Sequence, residues 1–391
     1  MKEVVFLTSR FPWPLDKGDK LRVYYQIRDL SQHVKLHLIC LSEDDVPAED
    51  LSKIESICAS VKVYRLHFVS KVLGMLRALF RALPLQVGYF FSPQIRRQIH
   101  AAIQQIQPDH LHCHLIRTTE YIRGLSTESR SLDYMDAFAE GMKKRAEQTT
   151  NPFKKYLFHF EERRLRHYEA LVFDFVERHC IISKQDREAI AHPYRGQIQI
   201  VANGVDFDIF SPRETPKHYD LVFMGNLAYP PNIAAIQYWM EEVMPLIWQT
   251  RPQTSLLMAG IGATDQIKAY QNERVSLIEN WSDISHSIAQ SRILIAPMQI
   301  SIGLQNKIIQ AMAMKVACIV SESANRAIGA RPKQEIIALS QAKDYASATI
   351  SLLKNPDQRH QLAEEAYRFV RHHFDWQAQN QALLSCMMPP D

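Results

Sequence analysis

Short apolar or β-branched runs of four to six residues recur along the whole chain, separated by polar stretches with helical spacing. In the first half they are Val4–Thr8, Leu36–Leu41, Val61–Leu66, His110–His114, Leu132–Met135 and Cys180–Ser183. The second half repeats the pattern at Ile198–Ala202, Leu221–Met224, Ser255–Ala259, Val275–Ile278, Ile293–Ala296, Ala317–Val320 and Ile336–Leu339. Short strands alternating with helices predict parallel pairing through crossover connections. The expectation is therefore two open α/β sheets in tandem.

Turn formers follow one of these runs in Asn203-Gly204-Val205-Asp206, with Phe210 and Pro212 beyond, and they mark a linker. The boundary is expected near Ser211, giving a first domain of residues 1–210 and a second of 211–371. From Gln361 through Trp376 to Cys386 the spacing is helical and no strand follows, so residues 372–391 are expected to pack back on the first domain. A length of 391 residues, 46% of them hydrophobic, agrees with two cores.

Charge narrows the partners. The 46 Lys+Arg nearly balance the 42 Asp+Glu, and a net +4 is too weak to point to nucleic acid. The six cysteines lie far apart, without C-x-x-C spacing, as expected in a reducing compartment. Met1-Lys2-Glu3 precedes only a brief apolar run, and no stretch reaches the ~18 apolar residues of a membrane span, so a cytoplasmic protein is expected. There is no G-x-G-x-x-G after the first strand, only Gly260-Ile261-Gly262 later, and no H-E-x-x-H, P-loop or G-x-S-x-G. These absences argue against NAD enzymes, the commonest metallopeptidases, P-loop NTPases and α/β-hydrolases.

The most informative segment runs from Pro297 to Met314 and predicts a glycine-containing loop feeding a helix at the end of the Ile293–Ala296 strand. On a helical wheel Gly303, Asn306, Lys307 and Gln310 fall within roughly a 100° arc, while Leu304, Ile308, Ala311 and Met312 occupy the neighbouring side. Unpaired N–H groups at such a helix start, with Gln305 and Lys307 beside them, are suited to a phosphate. The alternative is a solvated face of a surface helix.

Five blocks carry a family resemblance: Asp16–Arg22, Leu132–Phe138, Val201–Asp206, Phe223-Met224-Gly225-Asn226 and Gly303–Ala313. Together they span nearly the whole chain, which resembles the GT-B glycosyltransferases of the large retaining, family-4-like group and, within it, bacterial polysaccharide-associated sugar transferases. The resemblance implies two Rossmann-like domains with open parallel sheets facing across a cleft. It implies transfer of a sugar, with retention, from a nucleoside diphosphate sugar to a glycan or lipid-linked acceptor in cell-envelope or exopolysaccharide synthesis. The nucleotide sugar is a co-substrate, and neither a metal nor another cofactor is implied.

The donor site implied by this resemblance comprises Gly18, Lys20 and Arg22 on the phosphates and Gly225 and Asn226 at a strand end. It further includes Asn280 and Trp281 near the base, and Gly303, Leu304, Gln305, Asn306, Lys307 and Gln310 along the loop and helix. Lys17–Lys20 reads equally as a surface turn, and Trp281 equally as a core plug. Gln310 stands where the family has an acidic ribose ligand, and Ile302, eight residues earlier, stands where it has a second glutamate. His114, nearest the carboxyl end of its strand, and Asp136 are the candidates for catalytic contact with the acceptor or sugar, with structural roles as the alternative; His110 and His112 are assigned to structure. The departures at Gln310 and Ile302 keep open a non-catalytic nucleotide-sugar-binding scaffold, and the fold also hosts nucleotide-sugar 2-epimerases. Lys71–Leu83 resembles a membrane-surface helix, and Lys143-Lys144-Arg145, Lys154-Lys155 and Arg163–Arg166 are cations in the same half. Peripheral contact with the inner membrane face is one expectation, a core helix with solvated neighbours the other.

Overall fold

A computed structural model describes residues 1–125, 129–279, 284–299 and 303–388. The chain divides into two compact units, one of Met1–Ala202 with the helix Trp376–Met387, the other of Asn203–Asp375.

The first unit is built on a seven-stranded sheet: β1 (Glu3–Thr8), β2 (Lys35–Ser42), β3 (Ser60–Arg65), β4 (His110–His114), β5 (Arg130–Asp133), β6 (Arg178–Ile181) and β7 (Gln199–Ile200). Its order is β3-β2-β1-β4-β5-β6-β7, with every pair parallel. Both faces of the sheet's centre are covered, and β1, β2 and β4 are buried along nearly their whole length. Along β1, Val4 and Phe6 join one core with Ile27 and Leu30, while Val5 and Leu7 join the other with Ile99 and Ile103. Thr8 lies opposite both Cys40 and His114, and His114 opposite Asp133, so the central strands finish level with one another.

The second unit has a six-stranded sheet of β8 (Tyr219–Asn226), β9 (Leu256–Ile261), β10 (Val275–Ile278), β11 (Ser291–Ala296), β12 (Ala317–Ser321) and β13 (Ile337–Leu339), ordered β10-β9-β8-β11-β12-β13 and parallel. In each sheet the strand order reverses once, between β1 and β4 and between β8 and β11. Open α/β sheets bind ligands outside the carboxyl ends of the strands at this reversal.

Two expectations shift. The Ile198–Ala202 run supplies β7, which pairs with β6 and so belongs to the first sheet rather than opening the second. The units divide at Ala202–Asn203 rather than near Ser211, because the Val205 amide donates to the Phe374 carbonyl at 2.8 Å and ties that stretch to the second unit. The helix Trp376–Met387 lies on the first unit. Trp376 stacks on Tyr25 at 4.9 Å, and the Asn380 amide donates to the Tyr25 carbonyl at 3.0 Å and to Asp29 at 2.7 Å. All six cysteines are free and buried. No helix among the described residues is long and apolar enough to cross a membrane.

Candidate functional site

In the second unit the strand reversal collects a compact polar cluster. β8 ends in Gly225-Asn226, with Gly225 at φ 148°. A Cβ on Gly225 would lie 2.8 Å from Asn232 Nδ2 and 3.3 Å from Lys307 Nζ, so glycine leaves room for both side chains. Asn232 donates through Nδ2 to the Asn226 carbonyl at 2.8 Å, which fixes the amide and presents Oδ1 to Lys307 Nζ at 2.7 Å.

Lys307 sits in the first turn of the helix Asn306–Ala313, which follows β11 and the described loop residues from Gly303. Its ammonium lies 4.4 Å from the Phe223 ring, and the side chain is buried with no carboxylate in ion-pair range among the described residues. Burial pushes its pKa down to about 7. Gln305, at the N-cap, does not cap the helix with its side chain, so the first-turn N–H groups point toward the same end. Asn306 accepts from Asn203 at 3.0 Å. Gln310 is half-buried and its amide makes no side-chain hydrogen bond among the described residues; Leu304 is buried. The geometry rules out the solvated-face alternative for Lys307. Asn280, Trp281 and Ile302 lie outside the described residues.

In the first unit, Gly18 opens the helix Gly18–Leu30 beyond the end of β1, and Lys20 pairs with Asp16 at 2.9 Å. Arg22, expected to meet a phosphate, is instead wholly buried. Its Nε donates to Asp133 at 2.6 Å and Nη2 to the Val201 carbonyl at 2.8 Å. Asp133 also accepts from Gln26 at 3.1 Å and from the Met135 amide at 2.9 Å. Burial alone would raise the Asp133 pKa, but the adjacent Arg22 charge outweighs it and holds the carboxyl below the usual range. The pair is a structural link between the first helix and β5, because both charges are already satisfied.

His114 is fully buried, and neither ring nitrogen has a hydrogen-bond partner among the described residues. Burial lowers its pKa to about 4, so the ring is neutral at physiological pH. Asp136, past the end of β5, has its pKa raised to about 8 by burial and by the neighbouring Asp186 charge. Asp186 accepts hydrogen bonds from the Ser183 hydroxyl and, at 3.3 Å, from the Ala137 amide. His110 binds Ser129 at 2.9 Å and Ser131 at 2.7 Å, and His112 binds Ser131 at 2.7 Å, which fits structural roles. The sequence reasoning missed Asn232, Arg10 and Arg117. Nothing in Tyr229-Pro230-Pro231-Asn232 beyond a helix start would have found the first. The two arginines carried a signal, since both stand within three residues of a strand's carboxyl end.

Residues 218–355 match the family model described as glycosyl transferases group 1. An uncharacterised 44.6 kDa protein of the cps region of Klebsiella pneumoniae is 21% identical over 96% of this chain and 97% of its own. Among solved structures, Anabaena HepE in complex with UDP-glucose superposes with a TM-score of 0.68 at 13% identity, covering 98% of this chain and 99% of HepE. Sucrose-phosphate synthase from Thermosynechococcus elongatus gives 0.68 at 14%, covering 98% and 97%. WaaG, a glycosyltransferase involved in lipopolysaccharide biosynthesis, gives 0.66 at 12%, covering 99% and 100%.

Proposed function

We propose that this GT-B chain, whose residues 218–355 match the group 1 glycosyl transferase model, moves a sugar from a nucleoside diphosphate sugar to a glycan or lipid-linked acceptor of envelope or exopolysaccharide synthesis. The observation that carries the proposal is Lys307, a buried ammonium at a strand reversal with an amide and a ring around it but no carboxylate among the described residues. A diphosphate supplies the missing negative charge. Lys307 and the first-turn N–H groups hold it as it leaves, without a metal or a protein nucleophile. Gln310 accepts from a ribose hydroxyl. Asp136, part-exposed past the end of β5, meets an acceptor hydroxyl, and His114, wholly buried on the same sheet edge, backs that surface. Retention follows when the departing diphosphate assists attack on the same face of the sugar. The match to the Klebsiella cps-region protein favours polysaccharide synthesis over other pathways.

The test is a melting-temperature screen with UDP, dTDP, GDP and ADP sugars, since a ligand that binds only the folded chain stabilises it. A labelled donor that stabilises then discriminates transfer from epimerisation and from binding without turnover. If no nucleoside diphosphate sugar moves the melting temperature, the proposal fails.

The acceptor is proposed to lie at an anionic bilayer. The helix Phe68–Phe80 exposes Phe68, Leu73 and Phe80, and the helix Pro152–Phe173 exposes Phe153, Tyr156 and Leu157 beside Lys154 and Lys155. Arg164 binds the two together, donating to the Ala78 carbonyl at 3.0 Å and the Leu79 carbonyl at 3.1 Å. Arg77 lies 5.1 Å from the Phe91 ring and is only part-exposed, so the outer cations are Arg81, Lys154 and Lys155. Apolar area flanked by cations complements an anionic interface, each cation contributing about 1 kcal/mol. Co-sedimentation with anionic vesicles should weaken in Lys154→Glu with Lys155→Glu and persist in part at high salt. Wild-type protein that ignores anionic vesicles at low salt removes this part of the proposal.

A further inference from the structure

The carboxyl edge of the first sheet carries two arginines that lie outside the Lys307 cluster. We infer that Arg10 and Arg117 form an oxyanion site there, one that takes a phosphate or carboxylate group.

Placement comes first. Arg10 stands two residues past the end of β1 and Arg117 three past the end of β4, and Thr8 and His114, the last residues of those strands, are direct partners. The two arginines therefore flank the strand reversal of the first sheet, where open α/β sheets take ligands. Both guanidinium groups lie over one ring, that of Phe90, at 5.5 Å and 5.0 Å from its centre, and Arg117 also lies 4.9 Å from the Phe138 ring.

The charges do not balance locally. Arg10 pairs with Asp19, while Glu43 is taken by Lys71 at 2.9 Å and by the Tyr89 hydroxyl. Arg117 has no carboxylate in ion-pair range among the described residues, and its hydrogen bond is from Nε to Gln86 at 3.1 Å. Its two terminal nitrogens donate to nothing described. Burial and then the Arg10 charge depress its pKa to about 10, against the smaller opposing pull of the Asp19, Asp136 and Glu43 carboxylates, none of which pairs with it. His114 adds a buried imidazole on the same edge, with no hydrogen-bond partner among the described residues.

The backbone is also held out of ordinary space here. Leu115, between β4 and the turn that carries Arg117, has φ 68° and ψ 146°, a region that only glycine visits freely. Met135, past β5, has φ 59°. Strain of this kind is kept where the surrounding fold enforces it, often at binding sites. A planar fork with two free terminal nitrogens suits the paired oxygens of phosphate or carboxylate better than a hydroxyl.

The oxyanion belongs either to the donor's diphosphate or to an acidic acceptor such as a sugar phosphate or uronate. Only that identification rests on the proposed transferase reading. Calorimetric titration of inorganic phosphate, glucuronate and UDP into wild type, Arg117→Gln and Asp19→Asn tests the site, with phosphate and glucuronate also titrated at saturating UDP. Arg117→Gln is expected to weaken one of these ligands at least tenfold, and Asp19→Asn, which frees Arg10, to tighten the same ligand several-fold. Phosphate or glucuronate binding that persists in wild type at saturating UDP and is lost in Arg117→Gln assigns the oxyanion to an acceptor, and loss of UDP affinity in Arg117→Gln assigns it to the donor. If UDP never binds wild type but phosphate does so through Arg117, the site stands and the transferase reading falls. Unchanged affinities for all three ligands in folded Arg117→Gln overturn the site. Should that variant not fold, Arg117→Lys, which keeps the charge and loses the fork, is expected to show a several-fold loss, and unchanged binding there overturns it equally.

Discussion

Arg22 in the first unit and Lys307 in the second are both buried cations, each on the first helical turns near a strand reversal, yet they are wired oppositely. Arg22 meets Asp133 at 2.6 Å and a backbone carbonyl, so its charge is answered within the fold. Lys307 meets an asparagine and a phenylalanine ring and no carboxylate among the described residues, so its charge is not. A buried charge that the fold has paired reports on stability, and one left unpaired reports on a ligand. Burial by itself does not separate the two cases; the partner does.

The sharpest way to break that contrast is Arg22→Met, which strands Asp133 in the interior. We expect a loss of about 3–5 kcal/mol in urea unfolding, the range for breaking one side of a buried pair. A loss under 1 kcal/mol would mean the pair is not what locks the first helix to β5.

Lys307→Met should behave in the opposite sense. Nucleotide-sugar affinity should fall by about 1.5–3 kcal/mol, as for a lost charged hydrogen bond. The melting temperature should hold or rise, since an unpaired buried charge has been replaced by an apolar chain of similar length. Simultaneous loss of stability and binding would place Lys307 with Arg22 as a structural cation.

A gentler probe is pH. The folded pKa of Lys307 lies near 7 against an ordinary 10.5, so the unfolded chain holds more protons between those values. Stability from this residue should therefore rise with pH across that window. Donor binding needs the protonated form, so affinity for a nucleotide sugar should be greatest below pH 7 and decline above it. Titrations at several pH values check this, and the decline should vanish in Lys307→Met. The smallest effect expected is that of Gln310→Glu, which should keep donor affinity or raise it a few-fold by restoring a charged acceptor. A large loss would show a pocket shaped for a different ligand.

Much of the fold was legible because most strands are short runs rich in apolar and β-branched residues closed by turn formers, and the thirteen predicted runs match thirteen strands. The Gly303–Gln310 segment was legible as a loop and helix for the same local reasons. What sequence could not give was pairing across distance. Arg22 and Asp133 are 111 residues apart, and Lys307 and Asn232 are 75 apart, so neither partner is implied by neighbouring residues. A helical wheel placed Lys307 on a polar arc but could not say what covers that arc. The stripe Phe153, Tyr156, Leu157 has helical spacing that is legible in the sequence beside Lys154 and Lys155.

The helix Trp376–Met387 gives the chain an unusual order of completion. Leu383 and Met387 are wholly buried in the first unit's core, and Asn380 satisfies a carbonyl of its first helix. A ribosome makes these residues only after all of the second unit. The later-encoded unit can therefore finish folding while the earlier one still lacks a wall, exposing Val23, Ile27 and Leu30 to the nascent-chain environment. In the cell, chaperone attention and truncation sensitivity should fall on the part of the protein that was synthesised first.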